Sequence, residues 1–167
     1  MKTVYSGKFI TVTEEPIDGY VYERAVMRPS VQVIPVVDGK ILMIRERRRE
    51  ENLSRWKFVS GFMDKPGLSE EEVAQEELME EAGFSAGKLE KYHFHKCSHT
   101  FIIPITYFIA RDLKENKKHN PDGAVVEEVK AFSIEELFQR VLDGEFDFLH
   151  EASVILKLHR DRKKLNL

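Results

Sequence analysis

"WKFVSGFMDKPGLSEEEVAQEELMEEAGF", Trp56 to Phe84, is the stretch on which the fold turns. Ser69 with Glu72 three residues on forms a capping box, and Gly83 supplies a left-handed stop, so the spacing predicts a helix from Ser69 to Ala82. Val73, Ala74, Leu78 and Ala82 make its buried face. Seven glutamates fill the remainder from Ser69 to Phe84, with no lysine or arginine among them. Glu70, Glu71 and Glu72 lie in the first turn, where the helix dipole favours anions. Glu80 and Glu81 lie in the last turn, where it disfavours them, and Glu77, three and four residues before them, repels each by roughly 0.2 to 0.5 kcal/mol per pair. A hard divalent cation reverses that sign, because Mg2+ seeks carboxylate oxygens. The alternative is a solvated acidic face, or one answered by the basic run "RERRR", Arg45 to Arg49.

Outward from this helix, "SVQVIPVV", Asp38-Gly39 and "KILMIRE" give a hairpin signal, and "RWKFVSG" reads as one short strand. "TVYSGKFITVT" and "GYVYERAVM" make residues 1–27 a small N-terminal β segment; residues 28–167 form the main domain. Beyond the helix come strands "KLEKYHFHKC" and "FIIPITYFIA", a polar loop "RDLKENKKHNPDG" and a strand "AVVEEVKAF". Ser133 and Glu136 form a second capping box opening "IEELFQRVLDG", and "DFLHEASVILKLHRDRKK" is a closing amphipathic helix. Strands and helices alternate without strict βαβ regularity, so the expected class is α/β (α+β), a mixed sheet with helices packed on it.

A chain of 167 residues, 42% hydrophobic, suits one core, and a formal charge of -3 gives no reason to expect a nucleic-acid or anionic-membrane partner. The single cysteine, Cys97, excludes an intramolecular disulfide. With no secretory or membrane-spanning apolar run, a cytoplasmic location is expected.

The central stretch resembles a Nudix box, whose pattern is G-x5-E-x7-R-E-U-x-E-E-x-G-U with U apolar. Glu77, Leu78, Glu80, Glu81, Gly83 and Phe84 match its second half, and Gly61 stands where it opens. The first half departs: six residues follow Gly61 before Leu68, which takes the place of the first motif glutamate, and Glu76 replaces the arginine. "LMIRERR", "FVSG", the N-terminal β segment and the closing "IEELFQRVLDGEFDFLHEASVILKL" are similar to the ADP-ribose and nucleoside-diphosphate-sugar pyrophosphatase branch.

The resemblance implies an α/β/α sandwich and Mg2+-dependent hydrolysis of ADP-ribose or a related nucleoside diphosphate sugar, with Mn2+ as a substitute. Glu77, Glu80 and Glu81 would hold the metals together with the Ser60 carbonyl, while Arg48 and Arg28 would contact substrate. The general base would come from near "PDGAVVEEVKAF", with Glu127 the candidate and Asp122 and Glu128 beside it. Residues 1–27 would pack across a homodimer. Because Leu68 and Glu76 depart from the pattern, a Nudix-fold nucleotide-binding module with weak or no catalysis stands as the alternative.

Three other features point elsewhere. His93, His95, Cys97 and His99 share a strand face, but same-face residues are about 6.6 Å apart, so four cannot converge on one zinc ion. Glu46, Glu50 and Glu51 interrupt or follow the arginine run, a poor footprint for nucleic acid. Trp56, the only tryptophan, reads as core or interface packing.

Overall fold

The computed structural model describes residues 1–48, 53–96, 100–116, 125–146 and 149–167, and the side chains at 48, 125 and 149 lie outside that description. The hairpin forms where the sequence places it. Strand β4 (Ser30–Val37) turns into β5 (Lys40–Arg48) through Asp38 and Gly39, with φ of 48° and 71°, the pair of positive angles that matches the strands' twist.

Strand β4 is the centre of the molecule. It pairs antiparallel with β5 and with β7 (Val59–Phe62), and parallel with β10 (Pro104–Glu115). Strand β11 (Val125–Phe132) and β6 (Leu53–Lys57) extend the sheet on β5, and β8 (Phe84–Lys96) extends it on β10, giving seven strands of mixed direction. Period-two alternation then sorts the core into two layers. Ile34, Met43, Tyr107 and Ile109 face helices α2 (Ile134–Leu142) and α3 (Leu149–Leu165), through Leu137, Ile155 and Leu158. Val31, Val33, Ile44 and Phe108 face α1 (Glu70–Glu77), through Val73, Ala74 and Leu78. Each such side chain contributes roughly 1.5 to 3 kcal/mol by leaving water, so one sheet with two apolar faces holds helices on both sides. This is the expected α/β/α sandwich.

The N-terminal sheet comprises β1 (Lys2–Ser6), β2 (Ile10–Ile17) and β3 (Tyr20–Met27), and then borrows β9 (Phe101–Ile102), which pairs parallel with β3. Residue 27 is therefore not a clean boundary for this sheet.

Four local expectations change. "RWKFVSG" is two strands, because Phe58 and Val59 bury on opposite faces and the chain passes from β5 to β4 between them. "FIIPITYFIA" splits at Ile103, its first part joining the N-terminal sheet. Strand β10 runs on to Glu115 through a positive-φ Asp112, where a loop was expected from Arg111. The acidic helix changes winding at Leu78. Among the described residues no helix is long and apolar enough to cross a membrane.

Candidate active site

Helix α1 opens on both hydrogen bonds of its capping box: Glu72 N–H donates to the Ser69 hydroxyl at 3.2 Å, and Ser69 N–H to the Glu72 carboxylate at 2.8 Å. From Leu78 to Ala82 the chain forms one π-helical turn, closed where Gly83 N–H reaches the Leu78 and Met79 carbonyls and Gly83 takes φ 75°. The wider turn buries Leu78 and Ala82 and turns Glu77, Glu80 and Glu81 towards β7. Single π turns often mark functional sites.

There the three glutamates line one cavity of about 480 Å³ with Ser60, Gly61 and Asp64 of the facing segment, and Lys8 and Lys65 line it too. Gly61 is required by the close approach of Glu77: a Cβ at Gly61 would lie 2.2 Å from the Glu77 carboxyl carbon. Burial pushes the Glu77 carboxyl up to about 7, and Glu81 and Glu80 add to the shift while Lys65 and Lys57 oppose it. Burial also raises Glu81, against Lys57 and a hydrogen bond from Ser60. Glu81 is held from inside the protein: Ser60 N–H donates to Oε2 at 2.9 Å and Lys57 Nζ lies 3.4 Å from Oε1. Burial alone would lower the Lys57 pKa, but Glu81 and Glu46 raise it, so Lys57 stays cationic.

The described part of the basic run does not answer the acidic helix; the Arg48 side chain and Arg49 lie outside the described residues. Arg45 and Arg47 pair with Glu127, at 3.8 and 3.7 Å. Lysines spread along the chain answer the helix instead: Lys91 to Glu70 at 2.8 Å, Lys65 to Glu76 at 2.7 Å and to Glu80 at 3.7 Å, and Lys57 to Glu81. Lys65 sits in the lengthened segment between Gly61 and Leu68, so the longer loop carries a cation to Glu76, and Leu68 packs on the core beside Val73.

The structure thus brings Glu77, Glu80, Glu81 and Ser60 together. Arg28 lies in a neighbouring hollow that shares Lys8 and Phe9 with the first, its N–H donating to the Phe9 carbonyl at 2.8 Å. Glu127 does not join them. It sits at a bulge of β11, held by Arg45 and Arg47, and is not among the residues lining the cavity. Arg48 ends β5, and its side chain, like Asp122, lies outside the described residues. So do Cys97 and His99; His93 lies 3.2 Å from Lys157 Nζ.

Sequence reasoning missed Lys57, Glu46 and Lys65. A single lysine between Trp56 and Phe58 in an apolar strand was the available signal, since a buried ammonium requires carboxylates. Behind Ser60, Lys57 and Glu46 line a second, smaller cavity of about 80 Å³, walled also by Gln32, Arg55, His150 and Glu151.

No three His, Cys, Asp or Glu side chains among the described residues are arranged to hold a metal ion by themselves. The donor chemistry nevertheless fits Mg2+. It takes one or two carboxylates and completes its shell with water and phosphate oxygens, and Glu77 is a half-buried carboxyl whose ionised form Lys65 and Lys57 offset only in part.

The pattern described as "NUDIX domain" matches residues 26–152. "ADP compounds hydrolase NudE" of Escherichia coli (strain K12) is 41% identical over 73 residues, 41% of this chain and 38% of that relative's length. A crystal structure of an ADP compounds hydrolase superposes with a TM-score of 0.78 at 22% identity, over 98% of this chain and 92% of the other, a likeness of fold.

Proposed function

Because this chain belongs to the NUDIX family, we propose that it is a Mg2+-dependent hydrolase that splits the pyrophosphate of ADP-ribose or a related nucleoside diphosphate sugar. One observation carries this reading: Glu77, Glu80 and Glu81 converge on a single open cavity that two lysines also line. Carboxylates to hold a cation and ammonium groups to draw in phosphates are what a pyrophosphate substrate requires. The relative whose printed name is an ADP compounds hydrolase supports the choice of nucleotide.

Glu77 and Glu80, with Glu81 behind them and the Ser60 carbonyl opposite, would hold Mg2+. Bound there, it would offset phosphate charge and lower the pKa of a coordinated water. The chain's own part is positioning. Lys8 and Lys65 attract the diphosphate, Gly61 keeps the floor low enough for Glu77, and Ser60 N–H fixes the Glu81 carboxylate. Water adds to one phosphorus, the bridging P–O bond breaks, and the products are a nucleoside monophosphate and a phosphorylated sugar. Catalysis of this type rests mostly on such positioning and charge stabilisation. The hollow at Arg28 lies where substrate beyond the diphosphate would extend.

Purified protein with Mg2+ should release AMP from ADP-ribose. In Glu81→Gln, kcat/KM should fall roughly a hundredfold, the scale of losing one charge-stabilising contact, with unchanged circular dichroism because Lys57 keeps Glu46 at 2.7 Å. No turnover of any nucleotide sugar or dinucleotide with Mg2+ or Mn2+ would overturn the proposal. Leu68 and Glu76 favour the second reading, a binding module. In that case nucleotides raise the melting temperature without turnover.

A further inference from the structure

Two smaller spaces adjoin the cavity that holds the three glutamates. The hollow at Arg28 shares Lys8 and Phe9 with it, and the cavity of about 80 Å³ shares Ser60. Their walls differ in kind. Phe9, Val26, Met27 and Pro29 give the first a partly apolar lining, whereas every side chain lining the second is polar or charged. The charges of that second wall balance. Glu46 and Glu151, 7% and 3% exposed, stand with Arg55 and Lys57, two formal charges of each sign, and Glu46 holds the Lys57 ammonium at 2.7 Å. Such a wall exerts little net pull on a phosphate or a metal ion. What it leaves unanswered is a neutral acceptor. Gln32 is 6% exposed and lines this cavity, and its buried Oε1 has no hydrogen-bond partner among the described residues. A buried acceptor without a donor is costly and uncommon. A hydroxyl supplies the donor, and its oxygen accepts in turn from a neighbouring Arg55 or Lys57. The space is roughly five to eight times what one water needs, room for the hydroxyl edge of a sugar ring.

We propose that the cavity behind Ser60 is a sugar subsite: it takes hydroxyl groups of the sugar attached to the diphosphate, one of them donating to Gln32 Oε1. This rests on the reading above that the larger cavity takes the diphosphate. Ser60 lines both spaces, so a sugar bonded to the diphosphate reaches the small cavity while its phosphates stay with the lysines. The contrast between the two adjoining walls also sets the direction of the substrate. A flat base suits the partly apolar hollow at Arg28, and a polyhydroxylated ring suits the wholly polar cavity. Gln32 is thereby a specificity residue, since a site built to hydrogen-bond a hydroxyl rejects a ligand that lacks it.

ADP-ribose and the methyl ester of ADP, which carries the same diphosphate and no second sugar, are the probes. Calorimetry with Ca2+ reads binding, and initial rates with Mg2+ read turnover. The wild type should prefer ADP-ribose roughly tenfold or more in affinity and in kcat/KM. Gln32→Met, similar in volume but without the amide oxygen, should lose that preference through a raised KM for ADP-ribose, with kcat little changed, and should handle the methyl ester as the wild type does. In the wild type, the Gln32 side-chain amide resonance should move with ADP-ribose and not with the methyl ester; this measurement decides if Gln32→Met does not fold. Equal handling of both probes by the wild type, an undiminished preference in folded Gln32→Met, or an unmoved resonance overturns the inference. ADP-ribose bound with the preference and its dependence on Gln32, yet never hydrolysed, sinks the proposed hydrolase and leaves the subsite standing. Hydrolysis of both probes without preference does the reverse, and binding of neither ends both.

Discussion

Glu77 shows how much one residue's surroundings decide. In the sequence it is one of seven glutamates on a helix; in the fold it presses against the bare backbone of Gly61 with Glu81 behind it. Its folded pKa of about 7 lies above the ordinary 4.5. The neutral form is thus favoured by folding: its contribution is full below about pH 4.5 and is lost as pH rises to about 7, where the folded state must ionise it. The shift corresponds to at most about 3 kcal/mol. In chelator, Glu77→Gln should therefore melt several degrees above the wild type at pH 8, with the gap closing by pH 4.5. Thermal melts across that range check it, and a gap independent of pH would refute it. Glu76 carries the opposite lesson. Where the family pattern has an arginine, this chain has an anion, and Lys65 supplies the cation from the loop. Both side chains are over a third exposed, so the pair is worth at most about 1 kcal/mol. Lys65→Glu should lower the melting temperature slightly, and Lys65→Glu with Glu76→Lys should restore it.

At the scale of elements, the site is a helix end set against a strand end. The capping box and the apolar positions of α1 are local and were legible, because each depends on residues three or four apart. The π turn was not legible, since nothing in "LMEEA" distinguishes it; it follows from seating Leu78 and Ala82 on the sheet while Gly83 closes the turn. The break at Phe58 was hidden for a similar reason. A run of apolar residues does not say which neighbouring strand each half will pair with. Gly61 joins the two elements, so Gly61→Ala should displace the Glu77 carboxylate and lower Mn2+ affinity and ADP-ribose turnover together, by roughly tenfold or more on the scale of disturbing a group that orients a metal ligand. An unchanged metal affinity in a titration would show that this contact positions nothing.

At the scale of the molecule, the N-terminal sheet leaves Ile17, Tyr20 and Tyr22 exposed on one face, at 38%, 72% and 49%. Grouped apolar side chains of this kind mark association surfaces. We infer a homodimer through this sheet. Light scattering at micromolar concentration should give twice the chain mass of 19.5 kDa, and Tyr22→Asp should give the monomer. A monomeric wild type would end that inference.

The sequence by itself determined the period-two and helical patterns, both capping boxes, the Asp38-Gly39 turn and the family to which the chain belongs, all of which are carried by residues near one another in the chain. Which cations meet the acidic helix was settled by folding and not by neighbours along the chain. Among the described residues Lys57, Lys65 and Lys91 do so from three separate segments, while Arg45 and Arg47 pair with Glu127, because charge pairing depends on distance in space and on burial.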